Sequence, residues 1–100
     1  MIKEIPQAKI AQAAQALRGL GHELRLTVLC HLINGPMCVY ELMEATGASQ
    51  PNLSQHLAKM RMMGLLVTQK KAQKVFYALS DPKYADLIAV LQSIYCPELE

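Results

Sequence analysis

Apolar residues recur at helical spacing along most of the chain and predict five helices. Polar positions alternate with this apolar stripe at i, i+3 and i+4 in each segment. Gly and Pro separate the segments, most clearly at Asn34-Gly35-Pro36. The predicted helices span residues 7–20, about 22–34, about 39–46, 49–63 and, after a cap at residues 80–81, 82–95.

Two short β-rich runs interrupt the helical pattern at residues 65–68 and 75–79. Residues 69–74 between them are polar and basic, and we expect them to form the tip of a hairpin. The predicted order is four helices, two strands and a last helix. This order is mainly α with a β-hairpin, and a basic hairpin directly after a polar-faced helix is typical of the wing of a winged helix-turn-helix.

The turn before the fourth predicted helix has the residues that a helix-turn-helix needs. Gly47 can end the third helix, Ser49 can cap the fourth, and Pro51 fits in its first turn. The outer face of the fourth helix is polar and suits the base edges and phosphates of a duplex. With Ser49, that face comprises Gln50, Asn52, Ser54, Gln55, His56 and Lys59. We therefore predict a single DNA-binding domain over residues 1–100, with the helix-turn-helix at about 39–63 and the wing at about 65–79.

The charge is unevenly distributed along the chain. Residues 47–80 contain five basic residues and no Asp or Glu, whereas the remainder has five basic and eight acidic residues, within a formal net charge of +2. The phosphates of DNA attract such an acid-free segment. Its wing lysines are Lys70, Lys71 and Lys74.

Other functional classes fit the sequence less well. An enzyme is not expected, because there is no Gly-rich phosphate loop and no plausible catalytic triad. No apolar run approaches a membrane span and the first residues show no signal-peptide pattern, so we expect a cytoplasmic protein without membrane contact. A winged-helix module that binds protein is an alternative, and the acid-free segment argues against it.

The last predicted helix is apolar over a wider face than one small core can cover. Its stripe from Tyr84 to Tyr95 is broadened by Ala85, Ala89 and Val90. We therefore expect a homodimer formed through the first and fifth helices. Such a dimer would bind an inverted repeat in double-stranded DNA.

Several motifs resemble the ArsR/SmtB family of bacterial repressors. They are L-R-G-L-G-H-E-L-R-L-T-V-L-C-H-L, V-Y-E-L, S-Q-P-N-L-S-Q-H-L-A-K-M-R-M-M-G-L-L and V-F-Y-A-L-S-D, within residues 17–97. The resemblance implies dimeric winged-helix proteins that leave operator DNA when an inducer binds. It also implies that Gln50, Ser54, Gln55, His56 and Lys59 face the major groove, and that the wing lysines reach the backbone or minor groove. For His56, packing between helices is an equally open interpretation.

Metal-sensing relatives carry a Cys-x-Cys pair at the third helix. This chain has Cys38 at the first position and Tyr40 at the second, a poor site for a soft metal. The last helix contains Asp86 but no His. We therefore predict no metal and no cofactor, and a metal- or arsenite-responsive repressor that uses Cys38 remains the alternative.

Two cysteines resemble those of another branch of the family. V-L-C-H-L at Cys30 and I-Y-C-P at Cys96 are similar to thiol-based sensors of sulfide, persulfide and oxidants (the BigR, SqrR, YgaV and HlyU type). That resemblance implies that the two thiols become linked by a disulfide or short polysulfide. Cys30 alone could equally be a small apolar core residue, and Cys38 is expected to be half-buried. His22 is expected to cap the second helix or lie at the surface.

Overall fold

The computed structural model describes residues 4–99, so the predicted domain ends at 1 and 100 lie outside it. Its elements are α1 (Gln7–Leu20), α2 (Glu23–Leu32), β1 (Met37–Cys38), α3 (Val39–Thr46), α4 (Gln50–Met62), β2 (Leu66–Lys71), β3 (Lys74–Leu79), α5 (Lys83–Tyr95) and a final 3-10 turn (Pro97–Leu99). The predicted order of five helices and a hairpin is confirmed. The prediction that α2 extends to about Asn34 is wrong, because α2 ends at Leu32 and a turn leads to Gly35 at a φ of +133°.

A third strand, β1, was missed by the sequence analysis. It pairs antiparallel with β3, with Met37 opposite Tyr77 and Cys38 opposite Phe76, and the sheet order is β1-β3-β2. A strand of two residues is too short to show an alternating apolar pattern in the sequence. It forms only because the rest of the fold supplies its pairing partner. The pairing fixes the start of α3 to the wing.

The wing occupies the predicted region, but its two strands extend closer to the tip than predicted. Residues 69–74 were expected to form a loop, but 69–71 and 74 lie in paired strands, and only Ala72 and Gln73 form the turn. Both turn residues have positive φ, 51° and 69°. A two-residue turn of this kind continues the right-handed twist of the strands, so the backbone stays paired to the tip.

The core lies between the facing sides of α2, α3 and α4. α4 contributes one face made of Leu53, Leu57 and Met60, each with no exposed surface. Burial of such side chains is the main stabilising term for a domain of this size. The other core residues are Leu20, Val28, Leu29, Leu32, Leu42, Leu65, Leu66 and Ile88.

The end of α1 is held tightly against the segment after α4. Gly19 is buried, and a Cβ at this position would lie 2.5 Å from Leu65 Cδ1 and 3.0 Å from Met63 Sδ. A larger residue would have to displace these side chains. The close contact therefore fixes α1 to the connection between α4 and the wing.

The outer faces of α1 and α5 remain apolar and exposed. α5 contains many apolar residues, but Ile88 is the only one of them that is buried. The large exposed side chains of the two helices are Ile10, Leu17, Leu87, Val90, Ile94 and Tyr95. Within residues 4–99, no helix is both long enough and apolar enough to cross a membrane.

Candidate DNA-binding surface and cysteine pair

The turn between α3 and α4 has the geometry that its residues predict. Gly47 ends α3 in the left-handed region at a φ of +75°, and its N–H donates to the Met43 carbonyl at 2.9 Å. The Ser49 hydroxyl accepts the N–H of Asn52 at 3.4 Å and caps α4. Because both helix ends are satisfied locally, the turn holds α4 at a fixed angle to α3.

The predicted DNA-facing side chains of α4 fall into two groups. Gln50, Asn52, Gln55 and Lys59 are exposed, together with the capping residue Ser49. Ser54 and His56 are half-buried at the edges of this surface. The exposed group contains amides and an ammonium group, which can bind base edges and phosphates without first leaving a protein partner.

His56 packs against the N-cap of α2. Its ring centroid lies 4.3 Å from that of His22, with the planes tilted by 41°. His22 Nδ1 accepts the N–H of Leu24 at 3.1 Å, so His22 caps α2. Burial lowers the pKa of His56, and the charges of His22, Arg25 and Lys59 lower it further. The neutral form of His56 is therefore favoured in the free protein.

Arg25 lies near His56 and was not among the predicted site residues. Its Nε and Nη1 atoms are shielded from solvent and have no hydrogen-bond partner among the described residues, as is true of His56 Nδ1. Nothing local marks Arg25, because it lies on α2, more than 20 positions before α4. Only the packing of the two helices brings Arg25 near His56.

The three wing lysines lie on strands and are exposed. Lys70 and Lys71 are in β2 and Lys74 is in β3, with Lys71 directly opposite Lys74. Three ammonium groups therefore lie close together at the tip of the wing. Because like charges in directly opposed positions repel, an anion bound at the tip would reduce this repulsion.

Cys30 and Cys96 line the same cavity, which has a volume of about 280 Å³ and lies between α2 and α5. Both cysteines are free and half-buried. Burial raises the pKa of the Cys30 thiol, and the negative charge of a Cys96 thiolate raises it further. The other lining residues are Leu26, Ile88, Leu91, Gln92 and Tyr95.

Cys38 has a different environment. It is 5% exposed, more deeply buried than predicted, because it ends β1 and forms the N-cap of α3. Its N–H donates to Glu41 Oε1 at 3.0 Å in a capping box. Tyr40 is exposed and donates to Glu44 at 2.9 Å. Among residues 4–99, no group of three or more His, Cys, Asp or Glu side chains could hold a metal.

Comparison with known proteins gives a consistent result. The family model described as "Bacterial regulatory protein, arsR family" matches residues 22–68. The chain is 40% identical to the HTH-type transcriptional regulator YgaV of Escherichia coli, over 91% of this chain and 93% of that protein. It is 34% identical to the biofilm growth-associated repressor of Xylella fastidiosa, over 98% of this chain and 86% of that protein.

Among solved structures, HlyU from Vibrio cholerae superposes with a TM-score of 0.83 at 40% identity, covering 91% of this chain and 99% of that one. Identity at this level over nearly the whole chain, together with the winged helix-turn-helix, places the sequence in one family of non-enzymatic regulators. The chain belongs to the arsR family of bacterial regulatory proteins and is a DNA-binding transcriptional regulator.

Proposed function

We propose that this chain is a homodimeric repressor whose operator binding is switched by thiol chemistry at Cys30 and Cys96. The observation that carries this proposal is that one cavity, between a helix of the DNA-binding half and α5, contains both thiols. Its partners would be an inverted repeat in double-stranded DNA and a sulfur-containing or oxidising inducer. The X. fastidiosa relative is named a repressor, which supports the direction of regulation.

The DNA-binding part of the proposal rests on the exposed surface of α4 and the wing. Gln50, Asn52, Gln55 and Lys59 are presented on one helix, and Lys70, Lys71 and Lys74 on one hairpin. In this proposal α4 enters the major groove and the wing contacts the backbone or minor groove. The helix-turn-helix at about 39–63 and the wing at about 65–79 then form one DNA-binding domain.

The dimer is proposed from the apolar surface of α1 and α5. Leu87, Val90 and Ile94 are 36%, 55% and 60% exposed on one helix. A second copy of the chain would cover them and place two α4 helices in successive major grooves, about 34 Å apart.

The proposed switch is a covalent link between α2 and α5. An oxidant removes two electrons and two protons from the thiol pair, and one Sγ–Sγ bond forms. A hydroperoxide that accepts them is reduced to an alcohol and water. A direct disulfide needs Cα atoms within about 7 Å, and inserted sulfur atoms relax that limit. The link releases DNA only if the linked form fits the bound geometry worse, by about 1–3 kcal/mol for a typical coupling.

Cysteine variants test the switch. Binding to a fluorescent duplex, selected from a random library by the reduced protein, is measured before and after polysulfide or peroxide treatment. Cys30→Ser and Cys96→Ser should bind as the reduced wild type does and should lose the response. Cys38→Ser is the matched control and should keep it. Intact mass separates the products, because a disulfide loses two hydrogens, whereas a polysulfide link loses two hydrogens and gains whole sulfur atoms.

The outcomes distinguish a sulfur-containing or oxidising inducer that acts on Cys30 and Cys96 from a metal or arsenite inducer that acts on Cys38. Release of DNA from both Cys30→Ser and Cys96→Ser would show that the dithiol is not the switch. Release by arsenite or zinc that depends on Cys38 would establish the metal-responsive alternative. The burial of Cys38 and its place in the capping box of α3 argue against that alternative.

A further inference from the structure

A group of four basic side chains lies where the start of α2 meets one edge of α4. His22 and Arg25 come from the α2 end, and His56 and Lys59 come from α4. The two imidazole rings are in tilted contact, and the charges of the other three groups all act on His56. None of these neighbours is a carboxylate. We name these four residues the basic cluster.

The basic cluster contains polar atoms that the chain alone does not satisfy. Arg25 Nε and Nη1 and His56 Nδ1 are shielded from solvent without a hydrogen-bond partner in the part of the chain that the structure describes. A shielded guanidinium without an acceptor is unfavourable, and nearby positive charge increases the cost. An anion at the cluster would relieve both terms.

We propose that the basic cluster binds one backbone phosphate of duplex DNA, with Arg25 as a contact residue outside the recognition helix. This inference rests on the operator binding proposed above. His22 and Lys59 are the exposed members, and Arg25 and His56 are half-buried. The phosphate would therefore meet the exposed pair first and be held by the shielded pair.

The position of the cluster on α4 favours a phosphate over a base. His56 and Lys59 are three residues apart and are neighbours on the helix surface, beside the face that carries Gln55. When a helix enters the major groove, its edges lie against the sugar-phosphate strands that border the groove. The planar guanidinium of Arg25 also matches phosphate oxygens better than a single ammonium does. His56 then positions the protein and does not read sequence.

Phosphate binding predicts uptake of a proton. In the free protein the pKa of His56 is lowered by burial and by His22 and Arg25 from the α2 end and Lys59 from its own helix. An adjacent phosphate favours the imidazolium form and raises the pKa of His56 in the complex. DNA affinity should therefore increase as the pH falls from about 8 to about 6.

Variants test the contact on a duplex that the wild-type protein selects from a random library, and on a random duplex. Arg25→Gln should weaken binding about tenfold on both, because one charged hydrogen-bonding partner is lost. The salt dependence, d log K/d log[salt], should become shallower by about 0.9, the value for one phosphate. Arg18→Gln, which removes an exposed charge from α1, is the matched control and should keep the wild-type slope. His56→Gln should lose the pH dependence, whereas His31→Gln should retain it.

A measurement on the unaltered protein covers the case in which Arg25→Gln fails to fold. The pKa of His56, followed by NMR in the free protein and in the DNA complex, should rise on binding. An unchanged or lower pKa in the complex overturns the inference, as does a wild-type salt slope in folded Arg25→Gln. A wild-type protein that enriches no duplex would instead overturn the proposed operator binding together with this contact.

Discussion

The helices α4 and α5 have equal length and opposite outer surfaces. Each spans 13 residues, Gln50–Met62 and Lys83–Tyr95. α4 buries three large apolar side chains and presents polar groups to solvent. α5 buries only Ile88 and presents Leu87, Val90, Ile94 and Tyr95. The two helices use the same periodic pattern and differ in what their exposed faces can bind.

This difference shows how partner type is encoded in a small domain. A face of amides and lysines without acids attracts a polyanion and is stable in water until that partner arrives. An exposed apolar face is costly in water and is typical of a surface that meets protein. This difference is the basis on which α4 is proposed to bind DNA and α5 a second copy of the chain.

The largest expected effect compares the same substitution in the two helices. Leu57→Ala, at a fully buried position of α4, should lower the free energy of unfolding by about 2–5 kcal/mol. Leu87→Ala, at a position 36% exposed on α5, should act mainly on association and make the chain dissociate at higher protein concentration. Urea unfolding and sedimentation equilibrium measure the two effects. Equal losses of unfolding free energy with no change in mass would contradict the assignment of α5.

A smaller effect is expected from the exposed amide of α4. Gln55→Ala should cost about 1–3 kcal/mol of binding free energy on the selected duplex and little on random DNA, if Gln55 reads a base edge. Gln92→Ala on α5 is the matched control and should leave both affinities unchanged. Anisotropy titrations with the two duplexes provide the measurement. Equal losses on both duplexes would show that Gln55 only positions the protein.

The wing lysines should produce an effect that is mainly visible in salt dependence. Lys70→Ala and Lys74→Ala should each weaken binding to every sequence and reduce the slope against log[salt] by about 0.9. Lys83→Ala, which removes a charge from the start of α5, should leave the slope unchanged. Binding at four or more salt concentrations determines each slope. A changed slope in the Lys83 variant would mean that the DNA contact extends to α5.

The smallest expected effect concerns the capping box at the start of α3, the helix that precedes α4. The hydrogen bond from the Cys38 N–H, and then one with the Cys38 side chain, lowers the pKa of Glu41 below its ordinary value of about 4.5. The stabilisation is therefore complete above that value and is lost as the pH falls through the lower pKa of the folded state. Thermal unfolding between pH 3 and 6 should show a steeper dependence in wild type than in Glu41→Gln. Identical profiles would mean that the capping box does not contribute.

The sequence allowed the helices to be predicted because their signals are local. The apolar spacing of Leu53, Leu57 and Met60 and the residues Gly47 and Ser49 specify α4 and the turn before it. The wing turn gave no such signal. Ala72 and Gln73 adopt positive φ although they are not the Asn-Gly pair typical of that turn, so the length of β2 and β3 could not be predicted.

The parts of the candidate site that escaped prediction depend on contacts between distant segments. β1 forms only against β3, and the contact between His22 and His56 forms only when the start of α2 lies beside α4. The positions of Cys30 and Cys96 could be anticipated only through the family resemblance, because spacing does not place α2 beside the end of α5. Burial of Cys38 likewise follows from its pairing in the sheet.

The missing side chain at Gly19 has a mechanical consequence. A side chain between two packed elements can absorb a small displacement by changing rotamer, but at Gly19 the backbone of α1 lies directly against Leu65 and Met63. The contact between Gly19 and these two side chains therefore leaves little room for independent movement. A displacement of the last turn of α1 should therefore also displace the connection between α4 and β2, which would couple the proposed subunit contact to the orientation of α4.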